Sequence, residues 1–440
     1  MKTPIVNFVK DYKKKNFSRF HMPGHKGKKA LGVEPLDITE IDGADVLYSP
    51  SSIILESENN ATKLFGTSHT YYSTEGATLG IKTMLALVKS SGNGKTILAG
   101  RNAHKSFMHA CALLDLNPVW LYPEKVSHIC SCNINPSSLQ SAINSCKEKP
   151  LAVYITSPDY LGNIADIKTI SQICENEHIP LLVDNAHGAY SAFCNPSFHP
   201  IKLGATMCVD SAHKTLPVLT GGAYLHISKT NSQYNQNARS YLSMFASTSP
   251  SYLILQSLDM ANDYLSKNSG DFDKTINKVN KLKLELIDRG YEVYSGEPLK
   301  LVINANFIGY TGIELAKILR KEKIEPEMAD ETVVVFMFSP KNTNKDFFRL
   351  KKALFKLELR QEIIVENIAP TKPKKALEIK DAMLAKRKTV KTSHSLGKIL
   401  ASTSISCPPA IPIAISGEIV DQDVILQLQK YGIDEIEIIE

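Results

Sequence analysis

Long apolar runs are absent from this sequence of 440 residues. A membrane-spanning helix needs about 20 consecutive apolar residues, and no stretch of the chain comes near that length. The N-terminal segment MKTPIVNFVKDYKKKNF has too short an apolar stretch for a signal peptide and no small-residue cleavage site. The sequence therefore predicts a cytoplasmic protein without a membrane span.

Paired cysteine motifs are absent as well. The eight cysteines include no CxxC pair of the zinc or thioredoxin type, and Cys130 and Cys132 are separated by a single residue. Without an export signal, this pattern predicts reduced thiols, several of them filling the core. His21 and His25 stand four residues apart, but the proline and glycine between them disfavour a helix that would place both on one face. We therefore predict no metal site.

Features of nucleic-acid-binding proteins are also missing. The net charge of +6 comes from scattered lysines with short clusters at 12–15 and 370–389, and no basic stripe interleaved with aromatic residues accompanies them. We interpret these lysines as solvated surface and expect no nucleic-acid partner. The apolar fraction of 43% is that of an ordinary globular protein, and the length predicts two or three domains.

Apolar strand-like segments alternate with amphipathic segments between about residues 95 and 230. Near-continuous apolar strands that alternate with helices are typical of a mainly parallel sheet covered on both faces, which predicts an α/β fold. Such sheets bind ligands at the carboxyl ends of their strands. The strand-like segments are TILAG (96–100), PVWLYP (118–123), LAVYITSP (151–158), PLLVDNAH (180–187), ATMCVDSAH (205–213) and GAYLHIS (222–228), and ADIKTISQICENEHI (165–179) has helical spacing.

A smaller, mixed pattern begins at about residue 293. It contains the strand-like segments YEVYS, LKLVINA and VVVFMFS and the helix-like segments TGIELAKILRKEK and KDFFRLKKALFKL, which together predict a small α+β domain. The proline- and lysine-rich stretch APTKPKK (369–375) is typical of a linker. We predict a large domain over 1–292, a small domain over 293–368 and a C-terminal domain over 369–440.

Two residues at consecutive strand ends carry the strongest chemical signal. Asp184 lies at the end of a buried strand, where a carboxylate is costly unless a cation such as a protonated pyridine nitrogen meets it. Lys214 follows the next strand, within reach of an aldehyde on the same ring. Enzymes that use pyridoxal 5′-phosphate (PLP) require such a pair. Taken singly, the two residues are better explained as a capping aspartate and a solvated lysine, and only the combination favours a PLP site.

Two further segments are weaker signals for the same cofactor. In YYSTEGATLG (71–80), small residues precede an amphipathic helix whose N-terminal N–H groups are suited to a phosphate, although Gly-Ala-Thr also begins ordinary helices. In RNAHKS (101–106), His104 is placed either to stack on the cofactor ring or to face solvent at a helix start. The local sequence leaves both alternatives open.

With these motifs in order, the sequence resembles the Orn/Lys/Arg decarboxylase family, fold-type-I PLP enzymes that act on basic amino acids. The resemblance covers nearly the whole chain and is closest to the short bacterial form. It implies an aspartate-aminotransferase-like large domain, decarboxylation of lysine, arginine or ornithine, a role in polyamine biosynthesis, and a homodimer or higher homo-oligomer with the site at the subunit interface. The motifs are FHMPGHKG, YYSTEGATLG, RNAHKS, TSPDYLGNIADI, VDNAHGAY, SAHKTLPVLTGGAYLH, STSPSYLILQSLD and PPAIPIAISGE.

The resemblance also implies roles for individual residues. Lys214 would be the Schiff-base lysine, and Asp184 would pair with the pyridinium nitrogen. His104 would stack on one face of the ring and Ala186 on the other, while His213 would neighbour the reacting carbon. Either His213 or Lys214 would return a proton to the substrate Cα. The other cofactor-binding residues that the resemblance implies are Gly76, Ala77, Thr78, His187 and Ser211.

The C-terminal motif bears on the substrate. A carboxylate must meet the distal cation of a basic amino acid, and Glu418 is a candidate. Cys407 and Ala410 replace the tyrosine and glycine common at these positions in the family, and because the resemblance places this element near the substrate, the two changes bear on which substrate is used. Ala77 stands where relatives often have a hydroxyl residue, so one phosphate contact is expected from the backbone only.

Two other functions are compatible with parts of this pattern. One is transamination or another lyase reaction on the same fold. Aminotransferases of this fold usually carry a C-terminal arginine for the substrate carboxylate, and no arginine follows Arg387 here, although Arg349 or Arg360 offers an alternative. The other is a non-catalytic paralogue that acts in assembly, which the presence of both Lys214 and Asp184 disfavours.

Overall fold

The computed structural model describes residues 1–123, 128–364, 372–405 and 410–440. Its helices are α1 Pro4–Lys14, α2 Ile53–Phe65, α3 Gly76–Ser91, α4 Lys105–Leu114, α5 Pro136–Ser145, α6 Ile167–Asn176, α7 Ala212–Thr215, α8 Asn235–Phe245, α9 Tyr252–Asn268, α10 Gly270–Asp288, α11 Gly312–Lys321, α12 Asn344–Phe355, α13 Ile379–Leu384 and α14 Gln422–Lys430. Its strands are β1 His69–Ser73, β2 Thr96–Gly100, β3 Asn117–Leu121, β4 Ala152–Thr156, β5 Leu181–Asp184, β6 Met207–Asp210, β7 Ala223–Ile227, β8 Lys300–Asn304, β9 Met328–Ala329, β10 Val333–Met337, β11 Arg387–Lys391, β12 Ser404–Ile405, β13 Pro412–Ala414 and β14 Glu435–Ile439.

The elements predicted between residues 95 and 230 are confirmed. Strands β2 to β7 coincide with the six apolar segments, with β3 beginning one residue early, and α6 lies inside the segment of helical spacing. β1 was not predicted, because its sequence HTYYS is short and mixes polar with aromatic residues. This strand is defined by its partner, since it pairs with β7 along its whole length, from His69 opposite Ile227 to Ser73 opposite Ala223.

The chain divides into two compact units, each formed by separate chain segments. Unit 1 consists of Met1–Asn93 and Ile167–Asp271, and unit 2 consists of Gly94–Asp166 and Phe272–Glu440. The three domains expected from the sequence remain a prediction. Among the described residues, no helix combines the length and the apolar character that crossing a bilayer requires.

Unit 1 contains four strands in the order β1-β7-β6-β5. β5 and β6 are parallel, whereas β6 with β7 and β7 with β1 are antiparallel. α3 packs on β6 and β7, and Gly80 permits a close approach there, because a Cβ at this position would lie 2.5 Å from Cγ2 of Val209. The helix buries Leu79, Met84 and Leu85, each worth about 1.5–3 kcal/mol, and this packing fixes where its N-terminus lies.

Unit 2 contains the parallel strands β4-β2-β3 and the antiparallel strands β8-β10-β9. β8, β10, α11 and α12 confirm the elements predicted for the small α+β region. The predicted strand YEVYS is instead reduced to one bridge, between Val293 and Ile303. In the C-terminal part, β11 pairs with β14, and α14 packs on β13 around a core that includes Leu400, Val424 and Leu428.

Candidate active site

The site residues of unit 1 follow from strand order. β5 ends at Asp184, and β6 beside it ends at Asp210, four residues before Lys214 on the short helix α7. Because the two strands are parallel, their carboxyl ends meet at one edge. Asp184 is buried, at 2% exposure, and its Oδ1 accepts a hydrogen bond from the N–H of Ala186 at 3.1 Å. The predicted lysine and aspartate therefore lie at the same edge of unit 1.

A histidine contacts the lysine directly. Nζ of the half-buried Lys214 lies 2.8 Å from Nε2 of His187, which is buried and follows β5. An ammonium has only donors, so an imidazole beside it accepts through the nitrogen that faces it. The sequence predicts His187 as a cofactor contact, and the structure adds this contact with the lysine amine.

The two residues that precede the lysine are held by local backbone contacts. Ser211 is the residue before α7 and is buried, and its carbonyl accepts the N–H of Lys214 at 3.0 Å. Nδ1 of His213 lies 3.0 Å from the carbonyl oxygen of Gly222, so the ring donates from Nδ1. In the neutral imidazole this tautomer leaves the lone pair on Nε2.

The predicted phosphate site is the N-terminus of α3. Gly76 begins this helix of 16 residues with a φ of +69°, a left-handed conformation that favours glycine. A Cβ at Gly76 would meet no atom within 4 Å among the described residues, so there is room for a ligand beside the helix start. N–H groups in the first turn of an α-helix point towards an anion bound at its start, so those of Ala77 and Thr78 are suited to a phosphate. Ala77 has no hydroxyl, so only its backbone can contribute.

A glycine pair links the helix start to the lysine segment. The carbonyl of Gly221 accepts the N–H of Gly76 at 2.7 Å, and the carbonyl of Gly222 accepts the N–H of His213 at 3.2 Å. Gly221 is itself tightly placed, because a Cβ there would lie 2.9 Å from the carbonyl oxygen of Thr74. The structure thus brings the predicted phosphate, lysine and aspartate positions together within unit 1.

His104 and Glu418 belong to unit 2. His104 precedes α4 and caps it, with Nδ1 accepting the N–H of Ser106 at 3.2 Å. A cap at Nδ1 fixes the imidazole at the helix start, which is the local role that the sequence left open. Stacking of this ring on a cofactor remains a prediction.

Glu418 forms a buried ion pair that the sequence did not reveal. Its Oε2 lies 3.3 Å from Nη2 of Arg101 and accepts the N–H of Ile415 at 2.8 Å. Burial raises the pKa of the Glu418 carboxyl, and the Arg101 charge opposes this shift in part. Arg101 also donates to the carbonyls of Pro412 and Ile413, so it holds the C-terminal motif against the segment after β2. Substrate binding by Glu418 remains a prediction that requires this carboxylate to exchange partners.

Of the two positions at which the C-terminal motif departs from the family, only Ala410 lies in the part of the chain that the structure describes. Cys407 lies outside the described residues. Ala410 is buried and has a φ of +59°, and its carbonyl accepts the N–H of Lys105 at 3.2 Å. An L-residue is strained in this conformation, which accounts for the glycine expected there.

Comparison with known proteins decides the family. The family described as Orn/Lys/Arg decarboxylase, major domain, matches residues 3–290. The chain belongs to the Orn/Lys/Arg decarboxylase family. Its members are PLP-dependent carboxy-lyases of basic amino acids, so the predicted family, enzyme class and general reaction are confirmed.

Relatives in this family extend over most of the chain. The arginine decarboxylase of Bacillus subtilis (strain 168) is 30% identical over 97% of this chain and 93% of its own length. The arginine decarboxylase of Halalkalibacterium halodurans is 30% identical over 96% and 91%. The constitutive lysine decarboxylase of Escherichia coli (strain K12) is 26% identical over 61% of this chain and 41% of its own length.

Solved structures confirm the fold class. Lysine decarboxylase LdcF of Francisella novicida has a TM-score of 0.80 at 20% identity, covering 100% of this chain and 81% of its own. The E. coli constitutive lysine decarboxylase has a TM-score of 0.81 at 17% identity, covering 100% and 82%. At these identities the likeness shows the fold alone, which is the predicted α/β fold of type-I PLP enzymes.

Proposed function

We propose that this chain decarboxylates arginine to its amine, with PLP bound covalently through Lys214. The observation that carries the proposal is the arrangement in unit 1 of a lysine amine, a buried carboxylate and an open helix N-terminus. Arginine is favoured because the arginine decarboxylases of B. subtilis and H. halodurans are each 30% identical to this chain over more than nine-tenths of both aligned chains. A role in polyamine biosynthesis, a homo-oligomer and a cytoplasmic location complete the proposal.

The residues of unit 1 fit PLP group by group. The Lys214 amine suits the aldehyde, the start of α3 at Gly76 suits the phosphate, and the buried Asp184 suits a ring nitrogen that carries a proton. When bound, PLP supplies an electron sink for the electron pair released as the substrate carboxylate leaves. This donor set distinguishes a PLP site from a general anion site, because neither the lysine nor the buried aspartate is needed to bind phosphate.

The side chains then have separate tasks. Asp184 holds the proton on the ring nitrogen through a charge-assisted contact in a buried, low-dielectric environment. His187 orients the Lys214 amine, from which it lies 2.8 Å away. His213 or Lys214 delivers a proton to the substrate Cα, and the His213 ring is fixed for this by its bond to Gly222. The N–H groups of Ala77 and Thr78 hold the phosphate.

The test is release of carbon dioxide from the purified full chain with PLP, offered arginine, lysine and ornithine separately. We expect release from arginine, abolished in Lys214→Ala and retained in Lys229→Ala, a control at an exposed lysine of the same unit. Borohydride reduction followed by peptide mass spectrometry should place the cofactor on Lys214.

Each alternative result contradicts a different part of the proposal. Release from lysine or ornithine in place of arginine overturns the substrate assignment and keeps the decarboxylase. Cofactor attached at Lys214 with no release from any of the three overturns the reaction and favours transamination or another lyase chemistry. Full activity in Lys214→Ala overturns the assignment of the lysine.

A further inference from the structure

Unit 1 contains a second cluster of chemically active side chains, distinct from the residues assigned to the cofactor. It consists of His199, Cys208, Asp210 and His226, each fully buried at 0% exposure. One ligand atom from each residue lies within 4.8 Å of the others. Two nitrogens, one sulfur and one oxygen therefore converge where solvent does not reach.

The strand register explains how these residues meet. Cys208 and Asp210 are two apart on β6, so their side chains point to the same face. β7 runs antiparallel to β6 with His226 directly opposite Cys208, which adds an imidazole to that face. His199 arrives from the segment before the 3-10 turn Pro200–Leu203. The cluster is thus built on the rigid strands of the unit.

The separations suit tetrahedral coordination. Oδ2 of Asp210 lies 3.1 Å from Nε2 of His199 and 3.1 Å from Nε2 of His226, and Sγ of Cys208 lies 3.9 Å from Nε2 of His199. Ligands placed about 2.0–2.3 Å from a zinc ion at tetrahedral angles stand roughly 3.3–3.8 Å from one another. Three of the six separations lie within a few tenths of an ångström of this range, and all six are at most 4.8 Å. Side-chain shifts of up to about 1 Å would therefore place all four atoms around one ion.

Outer contacts fix two of the four ligands. Oγ1 of Thr70 lies 2.9 Å from Nδ1 of His226, and the amide of Asn185 donates to Oδ1 of Asp210 at 2.7 Å. Metal-binding histidines and carboxylates commonly have such partners on their far side. Both contacts leave the inward-facing Nε2 and Oδ2 atoms directed at the cluster.

Charge balance also favours a divalent metal ion at this cluster. A divalent ion bound by one thiolate, one carboxylate and two neutral imidazoles forms a group with no net charge, which avoids the cost of burying an isolated charge. Zinc is the divalent ion that a mixed nitrogen, sulfur and oxygen set of four ligands suits best. Four protein ligands with no exposed position correspond to a structural site and not to a catalytic one.

We infer that His199, Cys208, Asp210 and His226 bind one zinc-type transition-metal ion as a closed structural site. This inference departs from the sequence prediction of no metal, and it does not depend on the proposed reaction. The competing arrangement is a cluster held by hydrogen bonds alone, in which both imidazoles donate to Asp210.

Elemental analysis and X-ray absorption distinguish the two arrangements. Because the site is closed, the ion must enter during folding, so the full chain is produced in zinc-supplemented medium. The purified protein is then loaded with PLP and dialysed against a chelator, which removes loosely bound zinc. We expect about one zinc per chain, with a zinc–sulfur distance of about 2.3 Å in the absorption spectrum of the wild type. Cys208→Ser should lose the sulfur signal and most of the zinc. Cys174→Ser should retain both, because this control removes another buried thiol of unit 1, on α6.

Three outcomes overturn the inference. Zinc well below stoichiometry in the folded wild type, a wild-type spectrum with nitrogen and oxygen ligands only, or an unchanged sulfur signal in Cys208→Ser would each exclude the site. Should Cys208→Ser fail to fold, the wild-type spectrum decides alone, since it reports the sulfur ligand without any substitution.

Discussion

Nζ of Lys214 lies 2.8 Å from Nε2 of His187, and the two residues come from segments that follow the neighbouring parallel strands β6 and β5. With the lysine charged, Nε2 accepts the hydrogen bond and the ring proton lies on Nδ1. The buried imidazole therefore restricts where the lysine amine points. Positioning of a reacting group matters steeply, because a displacement of about 1 Å can cost on the order of a hundredfold in rate.

We predict that His187→Ala slows both covalent capture of PLP and turnover, by roughly 10- to 100-fold. The amine loses the group that orients it, whereas Asp184 and the start of α3 are unchanged. Capture is followed by the change in cofactor absorbance after mixing, and turnover by carbon dioxide release. His187→Gln is the matched control, because its amide oxygen can still accept from the lysine, and it should recover part of the loss. Wild-type rates in His187→Ala would show that the contact has no role in positioning the amine.

Gly76 offers a test of the phosphate position that separates strain from binding. Its φ is +69°, and Gly66, at the end of α2 in the same unit, has a φ of +71°. Alanine in either position adopts a left-handed conformation at a cost of about 1–2 kcal/mol. At Gly66 a Cβ meets the flexible end of Lys202, and at Gly76 it enters the open space beside the helix start.

Both alanine variants should therefore melt at a lower temperature than the wild type, but only Gly76→Ala should weaken PLP binding, by about tenfold or more, equivalent to about 1.4 kcal/mol. Thermal unfolding without cofactor measures the first effect, and equilibrium titration with PLP measures the second. Equal PLP affinities in the two variants would contradict the assignment of the phosphate site to the start of α3.

Much of the fold was predictable because its strands are buried on both sides. Segments such as ILAG (97–100) and PLLV (180–183) are apolar along their length and are followed directly by the polar stretches RNAH and DNAH, so both the strand and its carboxyl end are visible in the sequence. The same pattern is sufficient to predict Asp184 and Lys214 as a pair at neighbouring strand ends.

What the sequence did not reveal depends on long-range pairing. Arg101 and Glu418 form a buried pair although 317 residues separate them along the chain. The opposition of Cys208 and His226 depends on the register of β6 with β7, which no local pattern encodes. Local patterns specify single elements, whereas these contacts arise only once the elements are assembled.

At Ala410, both the residue common in the family and the backbone conformation favour glycine. The family commonly has glycine here, and Ala410 has a φ of +59°. Ala410→Gly relieves the left-handed strain but adds conformational freedom to the unfolded chain, so the free energy of unfolding should rise by up to about 1 kcal/mol. Ala414→Gly, at a buried position of β13, is the control and should lower it. Urea denaturation measures both variants, and a less stable Ala410→Gly protein would contradict the prediction.

Asp330 in unit 2 should make stability depend on pH in the acidic range. Its Oδ2 lies 2.6 Å from Nε2 of His128, and its Oδ1 accepts the N–H groups of Thr332 and Val333. Burial by itself raises the pKa of the Asp330 carboxyl, but the hydrogen bond and charge of His128, together with the backbone donors, outweigh burial and lower this pKa to about 2. In the unfolded chain the carboxyl titrates near 3.8. The folded state therefore binds this proton less readily than the unfolded state does.

For a carboxyl with a lowered pKa, the stabilisation is fully present above pH 4 and disappears as the pH falls towards 2. Asp330→Asn should therefore lower the free energy of unfolding by about 2 kcal/mol at pH 7, and the difference from the wild type should shrink steadily below pH 4. Urea denaturation at pH 7, 5, 4 and 3 measures this difference. Asp273→Asn, at an exposed position of α10, should show almost no difference at any of these values. If the difference in free energy of unfolding between the wild type and Asp330→Asn stayed constant from pH 7 to pH 3, the charge of Asp330 would not stabilise the fold. The loss in the variant would then come from poor packing or hydrogen bonding of the amide.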